Sequence, residues 1–317
     1  MNELNRSIDN PVLQNGEIDM HEFFAVLWSG KIFILLVTAL FAIGSVYYSL
    51  QQPNIYQATA LLEVTEEQES NSSLAAMGGQ FGGVASSFGI SLPGGQSNKA
   101  AYVIETIKSK GFLKRIVQIS SIKEKLFAIE SYDLDKNTIT FDETIFNFKE
   151  KKWVRIPPKG RKKEPSYIEV HDHIKDSFSV TQDKKTGFIS ISFQHQSPFF
   201  ANEFVNLLIE EANNISREKD INESIKAIDY LNQELKNTEV RDVRQSINSL
   251  IEAQLKTLML ANIKDGYLIE PIDPSFIPEI KSFPNRKIIC IIGTMFGMIL
   301  SIILVLIRRY FFIYKYS

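Results

Sequence analysis

Two uncharged apolar runs stand near opposite ends of the chain, and everything else has to fit between them. The first is "IFILLVTALFAIGSVYYSL", residues 32–50, and the second covers residues 288–307. As helices rising about 1.5 Å per residue, each spans roughly 30 Å, the thickness of a hydrocarbon core. Neither run has a polar face, which argues against helices buried in a soluble domain. The first is also too long and too far from Met1 for a signal-peptide core, and no small-residue cleavage site follows it. Both are expected to be transmembrane helices.

Two spans put both termini on one side of the membrane. Arg308, Arg309 and Lys315 follow the second run, and Arg6 and Lys31 precede the first. Arg286 and Lys287 flank the other end of the second run. Long loops translocate largely regardless of charge, so the terminal cations set the expectation: termini cytoplasmic, intervening chain exported. The expected division is a cytoplasmic segment 1–31, a span 32–50, an exported domain 51–287, a span 288–307 and a cytoplasmic tail 308–317. The middle part is long enough for one substantial domain or two small ones. With Lys+Arg 35 against Asp+Glu 37, the net charge of −2 leaves no nucleic-acid footprint. Cys290 is the only cysteine and lies in the second run, so the middle part has neither a disulfide nor a cysteine metal site.

Along the chain, "IDMHEFFAVLWSGK" carries a variant capping box, Asp19 with Glu22, and an apolar stripe of Met20, Phe23, Phe24, Leu27 and Trp28. It reads as a short helix, either lying on the inner membrane surface or extending the first span. "IYQATALLEVTEE" reads as a strand. The Gly- and Ser-rich stretch 72–97 also carries Leu74, Met77, Phe81, Val84, Phe88 and Ile90. It lacks the Lys-Ser/Thr ending of a phosphate loop, so an apolar loop that packs on a neighbouring chain or on the membrane is the better reading. A helix is expected over 99–118, with Val103, Ile107, Leu113, Ile116 and Val117 as its apolar set. Short strands are expected at 138–141 and 153–156, and Ser166 with Glu169 forms a capping box. "SFSVTQD" and "GFISISFQH" read as two strands joined at 184–187, with Ile189, Ile191 and Phe193 on one face.

Ser197 then caps a long helix with Pro198 in its first position. The helical region runs over about 198–262, with a kink or turn near Asn237 and Thr238. Its stripes, Ile221 to Leu235 and Val243 to Leu258, need a second helix to cover them, either the chain's own return or a neighbouring subunit's. Pro271, Pro274, Pro278 and Pro284 rule out a helix or a central strand over 271–284 and point to an extended, semi-rigid connector. In the second run Gly293 and Gly297 form G-x-x-x-G, a spacing that lets membrane helices approach closely; subunit packing is the expected use.

Catalytic chemistry is not legible. His171 and His173 are two apart on a helix and point to different faces, which disfavours a shared metal. No G-x-S-x-G elbow, H-E-x-x-H motif or phosphate loop occurs. The expectation is a non-enzyme with no cofactor and no metal.

The layout resembles the Wzz-type chain-length determinants, the polysaccharide co-polymerases. Four stretches carry the resemblance: "IDMHEFFAVLWSGK", "IYQATALLEV", "GFISISFQHQSPFFANEFVN" and "YLIEPIDPSFIPEIKSFPNR". Ser275 stands where the family pattern has a second proline, and 120–165 matches nothing in that pattern. The resemblance implies an α+β fold: two transmembrane helices flanking a periplasmic α/β domain with long extended helices. It implies a bacterial inner-membrane protein of the kinase-free type, forming cyclic homo-oligomer rings of about eight subunits. Such a protein acts with a Wzy-type polymerase on lipid-linked polysaccharide, among membrane lipids, and sets the modal length of O-antigen or a related polymer. The alternative reading is a membrane-anchored periplasmic adaptor of a capsule or exopolysaccharide export system. Sensor proteins and membrane-anchored polysaccharide enzymes are disfavoured by the short tail and by the lack of convergent carboxylates.

Overall fold

Strand β1 (Tyr56–Val64) alternates cleanly, with Tyr56, Ala58, Ala60 and Leu62 buried and the residues between them more open. That period of two makes it one row of a sheet with a single dry face. The computed structural model describes residues 27–65, 96–119, 121–264 and 266–316, without the side chains of 96–98 and 309–316. The expected stripe at Met20, Phe23 and Phe24, and nearly all of the Gly-rich stretch 72–97, lie outside the described residues. The chain divides into two units: residues 54–283, and the two apolar helices with the segments beyond them.

In the larger unit the elements after β1 are α2 (Gln96–Lys108), α3 (Lys110–Ile116), α4 (Ile122–Phe127), β2 (Ile129–Asp133), β3 (Thr138–Phe141), β4 (Phe146–Asn147) and β5 (Lys152–Trp153). Then follow α5 (Tyr167–Ile174), β6 (Phe178–Gln182), β7 (Ile189–His195), α6 (Pro198–Asn237), α7 (Arg241–Ile263) and β8 (Ile269–Asp273). The main sheet has the order β6-β7-β1-β8 and is antiparallel throughout. Its dry face is Ala58, Ala60 and Leu62 from β1 and Ile189, Ile191 and Phe193 from β7. Against it lies the first half of α6, through Phe200, Phe204 and Leu208 on one row and Ala201, Val205 and Ala212 beside it. These positions recur every three or four residues, as a helix needs to cover a sheet with one stripe. Phe193 and Phe204 meet at 4.4 Å between ring centroids, and burying each ring contributes roughly 1.5–3 kcal/mol. Val103, Ile107, Leu113, Ile116 and Val117, the apolar set read from sequence, all join this core.

The expected single helix over 99–118 is two. Ser109 adopts an extended conformation, and its Oγ accepts from the Phe112 N–H, so it ends one helix and caps the next. The local capping preference of serine overrides a continuous apolar pattern. The strand expected over 153–156 is limited to Lys152–Trp153; beyond it the Arg155 side chain turns back to the Lys162 and Lys163 carbonyls. The β6–β7 turn is built on Asp183, whose carbonyl accepts from Gly187 N at 2.8 Å. Gly187 has φ +78°, the left-handed region that favours glycine.

The break near Asn237 is a true reversal. α6 ends at Thr238, which is extended, and α7 runs back along the second half of α6. Small buried residues, Ser216, Ser224 and Ala261, permit close approach, with Leu231 and Ile247 filling between. The chain's own return therefore covers part of the two stripes. Ile225, Val243, Leu255, Met259 and Ile263 stay exposed.

Two buried polar centres brace the larger unit. His195 Nδ1 accepts from the Ser197 N–H at 3.0 Å, which leaves Nε2–H to donate to the Lys125 carbonyl at 3.1 Å. Burial lowers its pKa to about 4, so the ring is neutral at physiological pH. Glu169 completes the capping box by accepting from Ser166 N, and also pairs with Arg155 at 2.9 Å and Arg161 at 3.2 Å. Burial alone would raise this carboxyl; the Ser166 N–H and the two guanidinium groups hold it at about 2 instead of 4.5. The folded value lies below the unfolded one. Its contribution is complete above about pH 4.5 and is lost as the pH falls toward 2. Glu169→Gln is expected to lower stability at pH 7 and to converge on the parent near pH 2, measured by thermal unfolding of detergent-solubilised protein. The decline between about 6.5 and 4, where burial of His195 acts, should remain. An unaltered acid limb below pH 4.5 would refute this role for Glu169.

Candidate functional site: the anchor pair and the connector

The two apolar runs form α1 (Lys31–Gln51) and α8 (Arg286–Tyr316), and both are long and apolar enough to cross a membrane. Most of their large side chains face outward, including Ile32, Leu35, Leu40, Ile291, Ile292 and Phe296. A helix of a soluble core would turn such residues inward. The helices are antiparallel: Gly30, Phe41 and Ser45 on one meet Val305, Gly297 and Gly293 on the other.

The glycines set the distance between the two helices. A Cβ at Gly293 would stand 2.5 Å from Ser45 Cβ, and one at Gly297 would stand 2.5 Å from Phe41 Cβ. Gly30 meets Val305 in the same way at 2.7 Å. Within a single chain, then, the G-x-x-x-G pair faces the chain's own first helix, and this contact by itself requires both glycines. Phe41 packs on Phe296 at 6.0 Å. Ser45, Thr294 and Ser301 each donate to a carbonyl of their own helix, so their hydroxyls add no unpaired polar group to the seam.

The connector begins at β8, on the edge of the sheet. Pro271 lies within β8 opposite Leu62, where the register shifts; an edge position tolerates a residue without an N–H. From Pro274 to Lys281 the chain is neither helix nor strand, and Ser275 is buried within it. At its far end Ile55 N donates to the Phe283 carbonyl at 2.9 Å and Ser282 N donates to the Ile55 carbonyl at 2.8 Å. Lys281 Nζ reaches Asn54 Oδ1 at 3.1 Å. The entry and exit of the larger unit are thereby tied together. Beyond Pro284, Asn285 caps α8 by accepting from Ile288 N.

Sequence reasoning missed the clamp that holds the start of β8. Asn213 is buried in α6; its Oδ1 accepts from the Leu268 and Ile269 N–H groups at 2.8 and 3.0 Å, and its Nδ2 donates to the Ile269 carbonyl at 3.0 Å. Its side-chain amide thus supplies an edge strand with partners it would otherwise lack. Four residues on, Arg217 donates to the Lys264 carbonyl at 2.7 Å, and Tyr267 donates to Asp220 at 2.7 Å. The signal was present: Asn213 falls four residues after Ile209, beside the apolar stripe, where a polar residue needs a reason.

Among the described residues no group of three or more His, Cys, Asp or Glu is placed to hold a metal. His171 faces the Lys108 carbonyl and His173 lies against Phe127, so the two imidazoles have separate surroundings. An open apolar depression of about 590 Å³ on α1 is lined by Trp28, Ile34, Leu35, Ala42 and Met298.

The chain thus carries a sheet-and-hairpin α+β unit between two apolar helices long enough to cross a membrane. Residues 16–119 match the family model described as chain length determinant protein, Wzz. Over 64 residues the chain is 41% identical to the tyrosine-protein kinase etk of Escherichia coli K12, and equally to that of E. coli O127:H6 and of O157:H7. That match covers 20% of this chain and 9% of the relative, so the chain spans under a tenth of the curated relatives' length. A solved structure described as a full-length bacterial polysaccharide co-polymerase aligns over 94% of this chain and 100% of its own, at TM-score 0.39 and 12% identity, too distant to support a comparison. The likeness to that family is thus carried by residues 16–119, which hold the first apolar helix, β1, α2 and α3.

Two outcomes follow from the geometry. Asn213→Ala removes the side-chain partner of the Leu268 N–H and of the Ile269 N–H and carbonyl at the start of β8, at about 1–3 kcal/mol per unsatisfied buried group. It is expected to lower the unfolding free energy by at least about 2 kcal/mol in urea titration; a loss under about 0.5 kcal/mol would exclude the clamp. In a Cys290→Ser background, cysteines at positions 30 and 305 are expected to oxidise within one chain, since a Cβ on Gly30 would stand 3.5 Å from Val305 Cβ. Gly293→Leu with Gly297→Leu should abolish that intrachain bond on a non-reducing gel. Its persistence, or dimers in its place, would show that the glycines do not set this contact.

Proposed function

We propose that the protein is a polysaccharide co-polymerase of the bacterial inner membrane. It regulates the modal chain length of O-antigen or a related surface polysaccharide, acting with a Wzy-type polymerase and performing no chemistry itself. The family match over 16–119 carries this reading, because it runs through the first apolar helix and into the larger unit. The antiparallel anchor pair supports the expected topology of cytoplasmic termini and a periplasmic middle. The assigned segments remain 1–31, 32–50, 51–287, 288–307 and 308–317, with 271–284 as the connector.

The α6–α7 hairpin reaches far from the sheet. α6 alone has 40 residues, roughly 60 Å at the helical rise, and the hairpin keeps Ile225, Val243, Leu255 and Met259 exposed. Exposed apolar side chains on both helices support contact with a neighbouring copy, and a cyclic ring of identical chains is the arrangement that closes head-to-tail contacts. In this reading Pro271, Pro274, Pro278 and Pro284 stiffen the return to the membrane, and Gly293 and Gly297 hold the two anchors together.

Deletion of the gene is expected to convert a clustered ladder of surface polysaccharide into an unregulated spread of short chains, with reversal on complementation. The measurement is a gel of extracted polysaccharide. An O-antigen ladder that stays clustered, together with an altered capsule or exopolysaccharide, would favour the export-adaptor reading.

A further inference from the structure

Residues 149–163, "KEKKWVRIPPKGRKK", hold eight cations and one carboxylate, in a chain whose net charge is −2. The segment belongs to the stretch that resembles nothing in the family pattern. Three of these charges are used locally: Arg155 and Arg161 on Glu169, and Lys152 beside Glu150. Lys149, Lys151, Lys159, Lys162 and Lys163 are exposed and have no acidic partner among the described residues. Beside them stand exposed apolar side chains: Ile156 is 96% exposed, and Phe148, one face of which stacks on Phe141, is 61% exposed. Charge alone would suit any solvated surface. A fully exposed isoleucine before two prolines, among unpaired lysines, is the composition of a surface that meets an anionic, partly apolar phase.

The position of the segment in its unit narrows the choice. Trp153 and Arg155 both pack on Phe127 at the end of α4. The carbonyl of Lys125, two residues earlier, accepts from His195. His195 pairs with Tyr56 at the start of β1, next to the Ile55–Phe283 bridge. The basic hairpin is therefore fixed at the end of the sheet where the chain enters and leaves the unit, and not at the far end near Val64 or at the tip of the helical hairpin. At that end the chain passes directly into the two apolar helices on either side, at Pro53 and Pro284.

We propose that residues 148–163 are a membrane-surface foot, in which the five lysines sit among anionic phospholipid headgroups and Ile156 and Phe148 enter the interfacial layer. The inference rests on the reading of α1 and α8 as membrane spans, though not on the polysaccharide role. Lysine stems can lie along the apolar boundary while their ammonium groups stay among the phosphates. Arg155, held by Glu169 and stacked on Phe127, fixes the root of the loop so that its tip is presented in one orientation. The foot would give the sheet a third support beside its two covalent anchors.

The test uses the full-length protein in lipid nanodiscs, with Cys290→Ser and an environment-sensitive fluorophore on Ile156→Cys. On replacing phosphatidylcholine alone by a mixture containing phosphatidylglycerol, the emission is expected to shift to the blue. Quenching by aqueous iodide should fall severalfold, and high salt should reverse part of the effect. Lys151→Gln, Lys159→Gln, Lys162→Gln and Lys163→Gln together should abolish the lipid dependence; all four are exposed, so the melting temperature should not change. A probe equally quenched on both lipids would overturn the proposal. So would one protected only on adding a soluble anionic polysaccharide, which would assign the lysines to polymer. A deletion strain with an unaltered polysaccharide ladder would remove the chain-length reading and leave the nanodisc result standing, so the two can fail separately.

Discussion

The structure depends on the pairing of the first strand with the last. β1 leaves one apolar helix, β8 returns toward the other, and the two are antiparallel neighbours. Antiparallel pairing places the beginning of one beside the end of the other, and the Ile55–Phe283 bridge closes the gap. The distance between the two exits of the larger unit is thus set by backbone hydrogen bonds rather than by a loop. The two helices outside this unit are themselves antiparallel and in close contact, so their corresponding ends also lie together.

This closure uses an edge strand, and an edge strand has unpaired backbone groups on its open side. Asn213 supplies partners for two of them, at Ile269, and for the Leu268 N–H just before the strand, which links the return strand to α6 and, through α6, to the dry face of β7. Arg217 and Asp220 continue the same row of α6 onto the chain between α7 and β8. The sheet, the helical hairpin and the return to the membrane therefore share one set of polar contacts. Along the hairpin the buried positions include the small residues Ser216, Ser224 and Ala261, while Ile225, Val243, Leu255 and Met259 stay exposed.

The flank of the core has its own polar bracing. His195 is locked into one tautomer by a backbone donor on one side and a backbone acceptor on the other. Arg115 reaches Glu211 and Glu218, and Lys125 reaches Glu203, so α3 and α4 are both tied to α6. Arg115 is partly exposed, and pairs of this kind contribute little each, at most about 1 kcal/mol. Their role is to fix where α4 sits, and with it the two small hairpins that follow.

Much of this was legible along the chain. The two apolar runs, the alternation in β1 and β7, the Ser166 capping box, the Ser197-Pro198 helix start and the break at Asn237 are local patterns, and local patterns are what a sequence carries directly. The split at Ser109 was missed because one serine's capping bond competed with an apolar period that continued through it. The short strands β2, β4 and β5 were missed, or placed too long, because two to five residues are too few to show a period. By itself the sequence determined which segments are apolar, which are helical and where the chain must turn, since those depend on neighbours within a few residues. Only the tertiary structure decided that Gly293 meets Ser45, that Asn213 holds β8, and that Glu169 gathers two arginines. Each of those contacts joins residues that the chain separates and the fold brings together, and their strength comes from burial that no single segment contains.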